Sequence, residues 1–326
     1  MKKVNLGLIG IGQMGATHFR NCLRLKDAKV FAVADIREKV LHETKKVGVK
    51  HVFKDYTEML KVKGLDAVII SLPTYLHAEA VIKAAEQGKH IFVEKPMTRT
   101  VEEAEPIVSA VKTYGVKLMV GYPMRFTEAF INLKKEVELG SLGAVQIAVA
   151  NHVSTGPFFA RSSETIPQPV PSWWFDTKLT GGGSLIDLGC HMIDLLKWYF
   201  GEVTDIKGYL GYRYGMDFED HATCILKFRN GTVGIVNAGW FSTSHRVQVD
   251  LFGTANYSSA GSKSPTLFEY AKNVLRRAPS STFYDELEYF VDCLISDVQP
   301  EPSAEEGLGV QQLIEKVYGN SLSLGA

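Results

Sequence analysis

The amino-acid sequence predicts an α/β protein of two domains: a doubly wound parallel sheet, then an α+β domain with an open, mainly antiparallel sheet. The chain has 326 residues, whereas single hydrophobic cores stop growing at roughly 250 to 300 residues. Up to about Gly121, short apolar, β-branched runs alternate with amphipathic stretches, which is typical of βαβ units. Beyond Tyr122, long runs of alternating polarity follow one another. We therefore predict domains 1–121 and 122–326, with a C-terminal helix that can pack back on the first domain.

The first domain is expected to contain six strands joined by five helices. Each strand is a short apolar run, and each helix shows apolar residues at three- and four-residue spacing. Because parallel strands need a crossover between them, this alternation predicts a complete doubly wound sheet. The predicted strands are Asn5–Ile9, Lys29–Ala34, His51–Phe53, Asp66–Ser71, His90–Val93 and Lys117–Val120, and the predicted helices are Met14–Leu25, Glu38–Val47, Tyr56–Leu60, Leu76–Gln87 and Val101–Tyr114.

The second domain is expected to be built from strands that follow one another directly. Hairpin-like spacers such as Arg229-Asn230-Gly231 separate them, which predicts an antiparallel sheet with one uncovered face. A Pro- and Ser-rich loop, Gly156–Ser172, and a glycine triplet, Gly181–Gly183, precede a helix. The predicted strands are Val145–His152, Val203–Tyr212, His221–Phe228, Thr232–Phe241 and Val247–Phe252, and the predicted helices are Glu128–Glu138, Ser184–Tyr199, Phe283–Ser296 and Ser303–Tyr318.

Composition and charge narrow the classes of partner. Hydrophobic residues make up 45% of the chain and charged residues 22%, as in folded globular proteins. Lys plus Arg and Asp plus Glu number 36 each, so no overall field attracts nucleic acid or an anionic membrane, and we expect a small-molecule partner. The N-terminal apolar run lacks the features of an export signal, and no run approaches the ~18 apolar residues of a membrane span. The four cysteines form no C-x-x-C pair, so we expect reduced thiols in the cytoplasm.

A glycine-rich turn carries the strongest local signal. The segment Gly10-Ile11-Gly12-Gln13-Met14-Gly15 is a G-x-G-x-x-G motif between a predicted strand and a predicted helix, the context in which this motif binds a dinucleotide. The first glycine permits a tight turn, the second lets the backbone approach the pyrophosphate, and the third lets helix and strand pack closely. The amides at the helix N-terminus then face the phosphates.

Asp35, at the end of the second strand, predicts which dinucleotide is bound. It lies twenty residues after Gly15, where a carboxylate accepts hydrogen bonds from both hydroxyls of the adenine ribose. Because this carboxylate repels a 2'-phosphate, NAD is the expected cofactor. Arg37 could pair with that phosphate, stack on adenine or stand in solvent at a helix start, so NADP stays open.

Two further segments give the chain a family resemblance. Glu94-Lys95-Pro96 follows the fifth strand, and Gly181-Gly182-Gly183-Ser184-Leu185-Ile186-Asp187-Leu188-Gly189-Cys190-His191-Met192-Ile193-Asp194 opens a helix of the second domain. Together with the glycine motif, they resemble the family named for glucose-fructose oxidoreductase and inositol 2-dehydrogenase. The resemblance in motif order runs from Val4 to about Asp194, with a compatible sheet after it. It implies a Rossmann domain, a nicotinamide cofactor and a sugar or polyol substrate.

The resemblance also implies which residues form the site. The lysine of E-K-P and the aspartate and histidine of D-x-x-x-H correspond to Lys95, Asp187 and His191, the catalytic set. Asp187 and His191 also share one helical face, although such pairs are often only helix-surface contacts. Cofactor contacts are expected from Gly10, Ile11, Gly12, Gln13, Met14, Gly15, Asp35, Arg37, Ser71, Pro73, Thr74, His77, Glu94 and Lys95, and substrate contacts from Lys95, Tyr122, Arg125, Trp174, Asp187 and His191. His77 could instead be a cap or surface histidine, and Trp174 a core or loop anchor.

The expected reaction is oxidation of a secondary alcohol, or its reverse. His191 removes the hydroxyl proton, Asp187 orients the imidazole or bonds a neighbouring hydroxyl, and Lys95 stabilises negative charge on the oxygen. Asp187, His191 and Asp194 could instead hold a divalent ion, but no second histidine or cysteine cluster lies nearby, and we expect no metal. Two other functions stay open: a non-catalytic sensor of NAD or of a sugar, and a glycosidase that uses tightly held NAD. The uncovered sheet face predicts a homodimer or homotetramer.

Overall fold

The structure, a computed structural model, describes residues 3–158, 171–242, 245–263, 282–320 and 322–323. Contacts within the chain divide it into two units. The first contains Met1–Pro123 and Ser280–Gly309, and the second contains Met124–Pro279 and Val310–Ala326. The segment 280–309 therefore belongs to the first unit, a feature that a single boundary between residues 121 and 122 does not describe.

The first unit is built around a six-stranded parallel sheet, as the sequence predicts. Its strands are β1 (Val4–Ile9), β2 (Ala28–Ala34), β3 (His51–Phe53), β4 (Ala67–Ile70), β5 (His90–Glu94) and β6 (Leu118–Gly121). Its helices are α1 (Gln13–Cys22), α2 (Glu38–Lys46), α3 (Tyr56–Leu60), α4 (His77–Glu86), α5 (Val101–Tyr114) and, from the later segment, α9 (Thr282–Ile295). The strand order β3-β2-β1-β4-β5-β6 is that of a Rossmann domain. Every residue of β4 is buried, as expected where helices cover both faces of a sheet.

Local side chains explain where several of these helices begin and end. The carboxylate of Asp55 accepts a hydrogen bond from the Thr57 amide (2.8 Å) and caps α3, and the Thr100 hydroxyl accepts one from the Glu103 amide (3.2 Å) and caps α5. Gly115, with φ of 62°, ends α5. Helix α1 differs because its first residue follows Gly12 without a side-chain cap, so its leading amides are left for another acceptor.

The second unit contains a seven-stranded mixed sheet, mostly antiparallel. Its strands are β7 (Val145–Val153), β8 (Val203–Gly211), β9 (His221–Phe228), β10 (Val233–Gly239), β11 (Arg246–Gly253), β12 (Tyr257–Lys263) and β13 (Leu322–Ser323), and its helices are α6 (Glu128–Glu138), α7 (Thr177–Thr180) and α8 (Cys190–Phe200). The strand order is β12-β11-β7-β10-β9-β8-β13, with parallel pairing of β7 to β10 and of β13 to β8. Helix α10 (Ala304–Asn320) begins in the first unit and continues into the second.

Residues of alternating exposure give the second sheet its two faces. Along β9, Ala222, Cys224, Leu226 and Phe228 are buried, and the residues between them are more exposed.

The sequence did not predict α7, β12 or β13, and most of the predicted loop Gly156–Ser172 lies outside the described residues. Within the described ranges, no helix combines the length and the apolarity needed to cross a membrane.

Candidate functional site

The glycine-rich turn after β1 has the geometry that its sequence predicts. Gly10 has φ of +82°, in the left-handed region that favours glycine. A Cβ on Gly15 would lie 2.0 Å from the carbonyl oxygen of Gly10, so only glycine lets α1 pack this closely against the turn. A Cβ on Gly12 would meet no atom of the described residues within 4 Å, so the backbone there is open to a ligand. With Gln13 and Met14 starting an uncapped helix, this turn fits a dinucleotide pyrophosphate.

Asp35 and Arg37 form a tight pair beside this turn. The Asp35 carboxylate accepts hydrogen bonds from the Ile11 amide (2.8 Å) and from the Arg37 amide (2.9 Å), Nε (2.9 Å) and Nη2 (2.8 Å). Burial acts to raise the pKa of Asp35, but the hydrogen bonds from Arg37 and Ile11 outweigh it and lower the pKa. A carboxylate has about four acceptor positions. The donors of Ile11 and Arg37 therefore fill these positions, and the Arg37 side chain, which supplies two of them, is 52% exposed.

The segment after β4 is tied to neighbouring loops by Ser71 and His77. The Ser71 hydroxyl donates to the Gly10 carbonyl (2.8 Å). His77 is buried, with Nε2 2.8 Å from the Leu72 carbonyl oxygen and Nδ1 3.0 Å from that of Pro96. Burial lowers the pKa of His77, while the two carbonyl groups act to raise it, and the ring lies between the two loops. His77 is thus neither a surface histidine nor exposed to a ligand, and its predicted part in cofactor binding would act through these loops. Pro73 and the buried Thr74 lie between the two anchors.

Lys95 lies at the end of β5, between a buried glutamate and a cis proline. Glu94 accepts hydrogen bonds from His18 Nε2 (2.5 Å) and from the Lys95 amide (3.1 Å). Lys95 itself is half-buried. The main chain of Lys95 is thereby held at the carboxyl edge of the parallel sheet, where ligands of doubly wound folds bind. Because protein groups already occupy its carboxylate, Glu94 would support the predicted cofactor site from behind.

In the second unit, the glycine triplet allows a buried glutamate to hold the start of the helix. Glu219 accepts hydrogen bonds from the amides of Gly183 (3.1 Å) and Leu185 (2.8 Å) and from the Tyr318 hydroxyl (3.0 Å). A Cβ on Gly183 would lie 1.9 Å from the Glu219 carbonyl oxygen, and one on Gly182 would lie 2.1 Å from the Tyr318 hydroxyl. Burial raises the pKa of Glu219 to about 7 despite these hydrogen bonds. Glycine is therefore required at positions 182 and 183 for this close packing.

Asp187 and His191 stand on the helix that follows. The sequence predicts one helix here, whereas the structure has a π-helical turn, Leu185–Gly189, before α8. Such turns are common at functional sites. The indole Nε1 of Trp240 donates to Asp187 (3.3 Å), and Trp240 packs in a buried cluster with Trp174 at its edge. Trp174 therefore lies near Asp187 through Trp240, and it anchors its loop on this cluster.

Two further histidines, His152 and His245, lie near His191, and no local sequence pattern indicates either of them. The rings of His152 and His191 lie 5.6 Å apart between centroids. His152 Nε2 lies 3.3 Å from His245 Nε2, so one ring donates to the other. His152 and His191 are 5% and 6% exposed. A lone histidine at the end of an alternating strand, as at His152, usually indicates no site, and only the fold brings these rings together.

Arg125 and Tyr122, two of the predicted substrate-binding residues, are both buried. Arg125 is buried and donates from Nε (2.9 Å) and Nη2 (2.7 Å) to the Asp194 carboxylate. Its guanidinium also lies 5.7 Å from the centre of the Trp198 ring. Tyr122 is 2% exposed. The substrate contacts of Arg125 and Tyr122 stay predictions, and the sequence motif does not reveal that Asp194 is the partner of Arg125.

The absence of a metal at the helix stays a prediction. Asp194 accepts a hydrogen bond from Arg125 and Asp187 accepts one from Trp240, so both carboxylates have protein donors. Over the part of the chain that the structure describes, the one cluster of ligand atoms compact enough for an ion is His18, Glu94 and Glu286.

Comparison with known proteins gives matches over both halves of the chain. Residues 4–122 match the model of the Gfo/Idh/MocA oxidoreductase family with an NAD-binding Rossmann fold, and residues 130–257 match the model of the C-terminal domain of that family. Myo-inositol 2-dehydrogenase from Thermotoga maritima is 27% identical over 324 residues, 93% of this chain and 92% of that protein. The NAD(+)-dependent scyllo-inositol 2-dehydrogenase from Bacillus subtilis is 28% identical over 335 residues, 94% and 92% of the two chains.

A solved structure shares the fold over nearly the whole chain. Scyllo-inositol dehydrogenase from Lactobacillus casei, with bound NAD(H) and scyllo-inositol, superposes with a TM-score of 0.80 at 20% identity. The superposition covers 98% of this chain and 97% of that structure. At this identity the similarity concerns the fold.

Proposed function

Because this chain belongs to the Gfo/Idh/MocA oxidoreductase family, with its NAD-binding Rossmann fold, we propose that it transfers a hydride between NAD and a secondary alcohol or ketone of a sugar, sugar derivative or cyclic polyol. The observation that carries the proposal is the open glycine turn of the first unit, and the motif residues Lys95 in that unit and Asp187 and His191 in the second unit support it. The inositol dehydrogenases among its relatives support a cyclic polyol as the substrate class.

We propose that the first unit binds the cofactor through its glycine turn and Asp35. The pyrophosphate would accept from the uncapped amides of α1, and the ribose hydroxyls would donate to Asp35 once Arg37 swings away. When bound, the nicotinamide ring of NAD supplies the hydride acceptor or donor. The ionised Asp35 favours NAD over NADP, because a 2'-phosphate would meet a like charge.

The three proposed catalytic residues would have separate roles in proton transfer and charge stabilisation. His191 acts as the general base that takes the hydroxyl proton, a role worth ~10²- to 10⁴-fold in rate. Asp187, fixed by Trp240, orients the imidazole or accepts from a neighbouring hydroxyl. Lys95, with its main chain held by Glu94, places a cation where negative charge develops on the substrate oxygen.

A substrate screen tests this function directly. Purified protein is mixed with NAD and a panel of inositols, sugars and sugar acids, and NADH is followed by its absorbance. We expect NADH formation with at least one cyclic polyol or sugar, and its loss in His191→Ala. His42→Ala, at an exposed position of α2, is the matched control and should retain activity. Full activity in His191→Ala would contradict the assignment of the base.

The same screen separates the rival functions. NAD binding without turnover of any substrate would favour a non-catalytic sensor. Hydrolysis of an aryl glycoside by protein that retains NAD after purification would favour the glycosidase.

We also propose that copies of the chain associate through the outer face of the second sheet. Tyr257, Phe252, Ile147 and Val233 are neighbours in register across four strands and are 52%, 45%, 43% and 38% exposed. Ile225, on β9, adds to this apolar face. A patch of this kind on a monomer favours association. Light scattering should give a dimer or tetramer, Ile147→Lys should lower the mass, and a wild-type monomer at micromolar concentration would contradict the proposal.

The cytoplasm is the proposed location, because Cys22, Cys190, Cys224 and Cys293 are all free and buried. Fractionation of cells that express the tagged chain should recover it with cytoplasmic markers, and recovery with exported proteins would contradict this location.

A further inference from the structure

A buried cluster of three ionisable groups lies in the first unit, behind Lys95. His18 of α1, Glu94 of β5 and Glu286 of α9 each bring a ligand-type atom within 4.8 Å of the others. His18 and Glu286 are 0% exposed and Glu94 is 6% exposed. His18 donates from Nε2 to Glu94 Oε1 (2.5 Å), whereas neither oxygen of Glu286 has a hydrogen-bond partner among the described residues.

The surroundings of Glu286 make a negative charge there costly. Aromatic rings enclose the cluster, with His18 edge-on to Phe92 (5.3 Å between centroids) and Phe92 edge-on to Phe290 (5.9 Å). A buried carboxylate without hydrogen bonds costs far more free energy than a buried neutral acid. Burial, and then the charge of Glu94, raise the pKa of Glu286 well above its ordinary value.

A metal ion would satisfy the charges, but the histidine does not fit one. A metal-bound histidine normally donates its other ring N–H to an acceptor. His18 Nδ1 is buried without a partner among the described residues, and His18 Nε2 already donates to Glu94. With Nε2 donating to the Glu94 carboxylate, a proton on Glu286 leaves Glu94 as the single negative carboxylate of the cluster.

We propose that Glu286 is a positioning residue, held as a neutral carboxylic acid, that preserves the His18–Glu94 pair and through it the main chain of Lys95. The connection is direct, because Glu94 accepts from His18 with Oε1 and from the Lys95 amide with Oε2. Ionisation of Glu286 would place a second negative charge beside Glu94 and disturb this anchor. The effect on catalysis rests on the proposed role of Lys95, but the protonation of Glu286 does not.

The ionisable groups that face Glu286 come from two elements. Helix α9 packs on α1, which supplies His18, and on β1, whose residues Val4–Ile9 include no ionisable side chain. Strand β5 supplies Glu94. Any change in the charge of Glu286 is therefore felt first by the His18–Glu94 pair.

Infrared spectroscopy and stability measurements test the proton without reference to activity. At neutral pH, the wild type should show the carbonyl stretch of a protonated carboxylic acid that is missing in Glu286→Gln and retained in Glu288→Gln, an exposed control on the same helix. Since folded Glu286 keeps a proton that the unfolded chain loses above the ordinary value of 4.5, wild-type stability should fall relative to Glu286→Gln as pH rises. An unchanged infrared band and pH slope in Glu286→Gln, or a stoichiometric divalent ion in purified wild-type protein by mass spectrometry, would overturn the proposal.

Enzyme kinetics test the positioning role. Wild-type kcat should fall at alkaline pH as Glu286 ionises, and this fall should be smaller in Glu286→Gln but not in Glu288→Gln. The KM for NAD should change less than kcat, because the glycine turn and Asp35 are expected to hold most of the cofactor. Identical alkaline profiles in wild type and Glu286→Gln would exclude positioning. If the infrared band is present but no turnover depends on Lys95, the proposed function is refuted and the protonation of Glu286 is not.

Discussion

Asp194→Asn separates a structural role of Arg125 from a role in substrate binding. The substitution keeps the shape of the side chain and removes the charge that opposes the guanidinium. The side chains of Arg125 and Asp194 are 5% and 1% exposed and share two hydrogen bonds of 2.9 and 2.7 Å. Removing one partner of such a buried pair costs about 3 to 5 kcal/mol because the other charge stays buried. The nearby Trp198 ring remains in the variant and does not change this difference.

The chain offers a matched control at its surface. Arg229 and Glu202 form the same bidentate pair, with hydrogen bonds of 2.7 and 2.6 Å, but their side chains are 68% and 59% exposed. Solvent screens this pair, so Glu202→Gln should destabilise the protein far less than Asp194→Asn. The two pairs thus differ mainly in burial.

The assay is urea-induced unfolding followed by circular dichroism, combined with steady-state kinetics. Asp194→Asn should move the unfolding midpoint far below that of Glu202→Gln. If both variants unfold like the wild type while Asp194→Asn raises the KM for the sugar or polyol, Arg125 is a substrate residue. A purely structural role of Arg125 would then be refuted, and the substrate contact predicted from the sequence would be supported.

Three further predictions concern the cofactor, the lysine and a buried acid. Asp35→Ser should raise the KM for NAD and lower it for NADP, and Arg37→Ala should raise the KM for NADP relative to NAD; a wild type that already prefers NADP tenfold or more would contradict the role of Asp35. Lys95→Met should lower kcat at least ~10²-fold, while the Kd for NAD, measured by fluorescence titration, should stay within a few-fold of wild type. An equally large loss of NAD affinity would show that Lys95 acts in cofactor binding. Between pH 4.5 and about 7, folded Glu219 keeps a proton that the unfolded chain has lost. The stability of the wild type should therefore fall as pH rises across this window, and Glu219→Gln should remove this pH dependence. If the urea midpoint of the variant still declines across the window, Glu219 is not the cause.

Local patterns were sufficient for most of the fold. The strands of the first unit are short apolar runs between helical repeats, and their parallel order follows from the crossovers. Strand β12 was missed because its sequence, Tyr257–Lys263, is rich in Ser and Gly and lacks an apolar alternation. The parallel pairing of β7 with β10 was not predictable, because 80 residues separate Val153 from Val233 and no local pattern records which strands become neighbours.

The candidate site also has parts that local sequence patterns predict and parts that they do not. The glycine turn and Asp35 are recognisable because strand, turn and helix are contiguous in sequence. Glu219 was missed because it reaches Leu185 from 34 residues away. Arg125 was assigned to substrate because its motif position is visible, whereas its partner Asp194 lies 69 residues further along the chain.

The return of segment 280–309 to the first unit governs the order in which the protein can mature during synthesis. A ribosome that has released residues 1–121 has produced every strand of the Rossmann sheet but not α9, which carries Glu286. Until that helix emerges, the apolar surface of α1 lacks its cover, and the His18–Glu94 pair lacks its third member. The nascent first unit therefore has to wait for almost the whole second unit to be translated. A fragment cut at residue 121 should accordingly be unstable and prone to aggregate, whereas a fusion of 1–123 to 280–309 through a flexible linker should recover a folded sheet.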